Sequence, residues 1–334
     1  MTAPATAPPS VTDHGVPPGQ PRWWRPAALT LYAAALVAWV VTVGLPTDPF
    51  LMFVWLWAAT VAWYVGQPWR RQLDFARDWW PAFAVLIVYM YSRGLSDELI
   101  GMPVSYTMPV RVDEWLTGGT LPTAYLQDVL CGDPCLRSSD PRWYDVVLTT
   151  VYYTHFVVAL TLALVLWVRD RAEWVVWLTR YLAMNVAGLV VYVLYPMAPP
   201  WLAARDGYLA EEVVRLTGRG WRDLGLGGFH TALAAVGNPV AAMPSLHGGI
   251  AMLVALYAFT RLRGWWWRAL VLAYPAVMGF ALVYYAEHYV VDIAAGWALA
   301  GAVTLAAVRW ERRRAGRSQT TARPDGAASG VRRG

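Results

Sequence analysis

The sequence predicts an all-α, polytopic transmembrane helix bundle of about eight spans. Three observations carry this. Of 334 residues, 57% are hydrophobic and only 15% charged, whereas a soluble globular chain carries about 25% charge. The apolar residues fall in runs approaching the ~20 residues that a helix needs to cross a bilayer. Trp residues crowd the ends of those runs (Trp23, Trp24, Trp69, Trp79, Trp80, Trp265, Trp266, Trp267), where an interfacial belt belongs.

In chain order, residues 1–26 are Pro-rich without an apolar run and read as a disordered cytoplasmic tail. No short apolar core with a small-residue cleavage site follows, so no removable signal peptide is expected. The transmembrane domain covers 27–308. Its first spans are roughly 27–45, 50–66 and 79–96, the third opened by Pro81 and holding Arg93 in its last turn. The next are 146–168 and 173–195, and the last 243–260, 266–286 and 288–308. Residues 309–334 form an Arg-rich, disordered cytoplasmic tail. With the N-terminus inside, the internal pieces hold 18 Arg, against eight outside and Arg180 within a span. That excess puts both termini in the cytoplasm and makes the chain a multi-pass cell-membrane protein.

Two long loops, about 97–145 and 196–242, then face outward, and loops of that length usually have a job. The first carries the only cysteines, Cys131 and Cys135. On an oxidising face these are either a local disulfide or two free thiols. All 27 basic residues are Arg, which excludes lysine Schiff-base chemistry and the P-loop. The net charge of +5 lies in short clusters between apolar runs, a membrane pattern that implies a bilayer partner and no nucleic acid.

Chemistry is expected where histidines meet. From His247 to His288 is one membrane pass, a tight turn and one pass back, so both imidazoles return to the same outer face. The same arithmetic from Tyr195 brings His155 near that face, either for an acceptor or headgroup or as a satisfied core histidine. His14 and His230 read as a tail and a solvated loop residue. Asp292 follows His288 by four residues, one helical turn along. A carboxylate that takes the Nδ1 proton makes Nε2 a better nucleophile or base; the bland alternative is an ion pair stapling two helices. Ser245, in Pro244-Ser245-Leu246-His247 at a helix start, suits a phosphate together with free backbone amides. Arg93 is the candidate counter-charge, ahead of Arg205 and Arg222, or else a snorkelling helix-end residue. Glu287 points about 100° away from His288 on a helix and is left out. No His-Glu-x-x-His signature is present, and neither a metal nor another cofactor is expected.

Residues 237–247 (Gly-Asn-Pro-Val-Ala-Ala-Met-Pro-Ser-Leu-His), His288-Tyr289-Val290-Val291-Asp292 and Ala198-Pro199-Pro200-Trp201 together resemble the type 2 phosphatidic acid phosphatase superfamily. Within it they resemble the inositolphosphotransferase (inositol phosphorylceramide synthase-like) branch. The resemblance covers roughly 146–308 and implies a phosphatidic acid phosphatase type 2-like core. It implies His288 as the nucleophile on phosphorus, Asp292 as its orienter and His247 as the general acid. It further implies an integral membrane phosphotransferase that moves an inositolphosphate-like headgroup from a phospholipid donor to an alcohol or lipid acceptor. The alternative is a phosphatase of the phosphatidic acid or polyprenyl phosphate type; a transporter is a weaker reading. The sequence departs from the superfamily in lacking its Lys-x6-Arg-Pro motif. Ala281 and Leu282 stand where a Ser-Arg pair precedes the last histidine. A site so poor in cations suits a phosphodiester better than a dianionic monoester. Ala198-Pro199-Pro200-Trp201, Tyr284, Tyr285 and Tyr289 are expected to wall its mouth.

Overall fold

The computed structural model describes residues 23–46, 49–92, 101–226 and 238–321, and its regular elements are helical. These are α1 (Trp24–Thr42), α2 (Pro49–Trp63), α3 (Arg70–Ser92), α4 (Thr107–Thr117), α5 (Pro122–Cys131), α6 (Trp143–Arg169), α7 (Arg171–Leu194), α8 (Pro200–Arg205), α9 (Leu246–Phe259), α10 (Trp265–Tyr284) and α11 (Val290–Thr321). A helix lies over each of the eight expected segments. However, five of them meet the length and apolarity of a span: α1, α6, α7, α10 and α11 as far as Arg313. The apolar stretches of α2 and α9 are shorter, and the first half of α3 carries Arg70, Arg71, Asp74, Arg77 and Asp78. The chain is a multi-pass membrane protein built of these apolar helices.

The chain divides into two compact units, up to Pro81 and from Ala82 onward. In the first, Trp55 of α2 meets Tyr32 and Trp39 of α1 edge-on, each at 5.9 Å. Phe75 stacks on Trp79 at 5.1 Å beside Phe53.

In the second unit, α9 is apolar nearly all round and packs against α6, α7, α10 and α11, which is the position such a helix requires. Its 14 residues rise about 21 Å. The fit against α11 depends on missing side chains. A Cβ on Gly296 would lie 2.3 Å from the Ser245 carbonyl oxygen, and one on Gly249 would lie 2.9 Å from that of Gly296. At one end of the bundle Asp170 closes α6 and caps α7, accepting from the amides of Ala172 and Glu173. Glu173 in turn accepts from the Tyr257 hydroxyl at 2.7 Å and from Arg261, joining α7 to the end of α9. Arg180, within α7, is bonded through both carboxylate oxygens to Glu311 of α11.

Both long loops carry structure of their own: α4 and α5 in the first, α8 and a 3₁₀ turn (Arg222–Leu224) in the second. They are tied to the bundle by buried polar groups. Gln127 of α5 donates to the carbonyls of Val214 (2.7 Å) and Tyr284 (2.9 Å) and accepts from the Val214 amide. Arg219 donates to Asp145 (3.1 Å), to the Asp140 carbonyl (2.8 Å) and to Cys131 Sγ (2.9 Å). Asp145 also takes the Tyr284 hydroxyl and the Arg142 amide. Of the two options left open for Cys131 and Cys135, the structure holds the disulfide.

Candidate active site

The turn that carries His288 is built by two helix ends. α10 finishes in a Schellman motif: the Ala286 amide donates to the Val283 carbonyl and the Glu287 amide to that of Leu282. The left-handed position, usually Gly, is Ala286 at φ 61°, a conformation that costs an L-residue about 1–2 kcal/mol. α11 then starts at Val290, with Tyr289 at its N-cap position. Asp292, third in the helix, accepts the Tyr289 amide at 2.9 Å, the acidic half of a capping box.

His288 Nδ1 lies 3.4 Å from Asp292 Oδ2, with both side chains buried. The contact expected from their spacing is present, but not as one turn of a continuous helix, because His288 precedes α11. The N-terminus of α9 is locked to the same place. The Ser245 amide donates to the Asp292 carbonyl at 2.9 Å, and the buried Ser245 hydroxyl caps α9 by accepting from the Gly248 amide. His247, one residue into α9, is then 5.9 Å from His288 between ring centroids. His155 of α6 tilts against His247 at 4.0 Å, and Tyr152 stacks on it at 4.9 Å. Three histidines from three separate stretches of chain therefore meet at one end of the bundle. Arg93, His14 and His230 lie outside the described residues.

Glu287 is held by Arg215 Nε (2.7 Å) and Nη2 (3.1 Å), and also by Thr217. Arg215 lies over the Trp201 ring at 4.5 Å. Partial burial and the charges of Arg222 and Arg215 together hold Arg137 below the usual guanidinium range. The second loop thus sets Arg215 on Glu287, the residue before His288. Arg205 is turned away to Asp206. The expected aromatic mouth is corrected: Tyr284, Tyr285 and Tyr289 are fully buried. Tyr284 and Tyr285 reach Asp145, and Tyr285 also Thr149. Trp201 is the member of that set left half-exposed. Among the described residues, no group of three or more His, Cys, Asp or Glu side chains is placed to hold a metal ion.

Sequence reasoning missed Asp113, Gln127, Arg215 and Arg219. Asp113, fully buried on α4, accepts from the amides of Val290 (2.8 Å) and Val291 (3.0 Å). Burial chiefly, with a smaller push from the Asp292 charge, raises its carboxyl to about 6 against the pull of those two amides. None of the four lies in a motif, and their partners are remote in sequence.

Comparison with known proteins agrees with this core. The phosphoinositol dihydroceramide synthase of Bacteroides thetaiotaomicron is 26% identical over 170 residues, 49% of this chain and 56% of the relative. The inositol phosphorylceramide synthase catalytic subunit of Saccharomyces cerevisiae is 30% identical over 121 residues, 34% of this chain and 29% of the relative. The chain thus spans about half the length of the first and under a third of the second. No solved structure matches. The profile of the PAP2 superfamily matches residues 137–306, half of the chain, from just before α6 through all three histidines of the site into α11, and the chain belongs to that superfamily.

Proposed function

We propose that the protein is a membrane phosphotransferase that moves an inositolphosphate-like headgroup from a phospholipid to an alcohol acceptor through a phosphohistidine. One observation carries this reading: His288, paired with Asp292, faces His247 across 5.9 Å. With Nδ1 turned to the carboxylate, Nε2 of His288 has the lone pair for attack on phosphorus. The P–N bond forms as the P–O bond to the lipid alcohol breaks, and His247 gives the departing oxygen its proton. An acceptor hydroxyl then attacks phosphorus, the P–N bond breaks, and the hydroxyl proton returns to His247. The 3.4 Å contact is longer than a well-formed hydrogen bond and is expected to tighten with substrate. In this reading Ser245 and Arg93 serve the phosphate, His155 serves the acceptor or headgroup, and no metal takes part. The site faces outward and both termini face the cytoplasm, on the strength of the arginine distribution.

The names of the two relatives make a ceramide-type lipid the first acceptor to test. Arg215, held on Glu287 next to His288, favours keeping a second reading, a phosphatase acting on a dianionic lipid phosphate. Purified protein, given phosphatidylinositol labelled in its headgroup, separates the two. The expected result is diacylglycerol together with a labelled acceptor lipid. Inorganic phosphate released from phosphatidic acid, with no transfer to any alcohol tested, would overturn the transferase reading and leave the phosphatase.

A further inference from the structure

Asp113 has no part in the reaction as proposed, yet its buried carboxylate is committed to two amides 177 and 178 residues away. The local sequence of α11 explains the need. Tyr289 stands at the N-cap position, where a short Ser, Thr, Asp or Asn side chain would normally accept from the first-turn amides. Asp292 takes the Tyr289 amide and faces His288 through the same oxygen, Oδ2, and its buried Oδ1 accepts no hydrogen bond, so it serves neither of the next two amides. The amides of Val290 and Val291 are therefore left without a local acceptor, and α4 supplies one from the other loop. We infer that Asp113 is a positioning residue: by clamping the first two amides of α11 it fixes the backbone from which His288 and Asp292 project.

Two further observations agree. Val110, on the same side of α4 as Asp113, packs in one apolar cluster with Ala286 and Tyr289, so α4 grips both flanks of the His288 turn. Burial also raises the Asp113 carboxyl to about 6, so keeping it ionised at neutral pH costs more there than in water. A cap serving stability alone would be better as a neutral group.

The inference rests on the reading of His288 as nucleophile, and its test keeps the two apart. Asp113→Asn preserves shape and removes charge, but puts an NH2 donor in place of one of the two oxygens that each accept one amide. It should fold with an apparent melting midpoint equal to or above that of the full-length wild type at neutral pH. Its kcat should nevertheless fall about 10-fold or more with KM nearly unchanged, the pattern of a loss confined to the transition state. Asp113→Ala should lose about 100-fold, the scale of a ~1 Å misplacement. Arg111→Ala, on the exposed side of α4, should keep wild-type kcat. Wild-type kcat per folded molecule in both Asp113 variants, with His288→Ala inactive, would overturn the positioning role alone. Turnover by His288→Ala would overturn the phosphohistidine reading instead.

Discussion

Replacing Arg219 by Met tests how the second loop is held to the bundle. Arg219 is 2% exposed and its partner Asp145 0%. Removing the guanidinium leaves Asp145 as a buried carboxylate with only the Tyr284 hydroxyl and the Arg142 amide to face it. It also leaves the Asp140 carbonyl without this donor. Breaking one side of a buried pair typically costs about 3–5 kcal/mol, because the orphaned charge stays in low dielectric. At roughly 2–3 °C per kcal/mol for a chain this large, Arg219→Met should lower the apparent midpoint by about 10 °C. Thermal unfolding in one fixed detergent, followed by tryptophan fluorescence, measures it. The double variant Arg219→Met with Asp145→Asn removes both charges and should recover a good part of the loss. The reasoning is refuted if Arg219→Met stays within about 1 kcal/mol of wild type, the ordinary range of an exposed pair. It is refuted equally if the double variant is no better than the single.

Three other outcomes are expected. His247→Ala should slow transfer by about 10²–10⁴-fold, the usual worth of a general acid, and by less for a donor with a good leaving group; equal losses with both donors would remove the acid role. Gly296→Ala forces a methyl group to within 2.3 Å of the Ser245 carbonyl, so α9 must move away from α11. That should cost about 1–3 kcal/mol as overpacking and lower activity measured per folded molecule; full activity would show that the histidine pair tolerates the shift. The third concerns pH. Asp113 titrates at about 6 in the folded protein against 3.8 when free, so the folded state binds the extra proton between those values. Its contribution therefore makes stability fall as pH rises from about 4 to 6, by at most roughly 3 kcal/mol, and leaves it level above. Asp292, His288 and Tyr289 face the same turn. The check is accordingly the difference in midpoint against pH between wild type and Asp113→Asn, and parallel profiles would refute the assignment.

Much of this protein was legible in the residues themselves. Run length and charge depletion are summed over about twenty positions, so they survive local irregularity, and a helix lies over every apolar run read from them. The histidine pairing was legible for a related reason. Counting passes across a membrane converts sequence distance into a position at one end of the bundle, and His247 and His288 meet as that count requires. What tertiary structure alone decided is the way this meeting point is held. Asp113, Gln127 and Arg219 sit in the two long connections between spans and reach partners between 74 and 178 residues away. The same holds for the cations: Arg215 stands at no motif position, yet the fold sets it on Glu287, next to His288. Spacing within a segment encodes which face a side chain takes, but loop polar groups are placed by whichever buried amides and charges the finished bundle leaves unsatisfied.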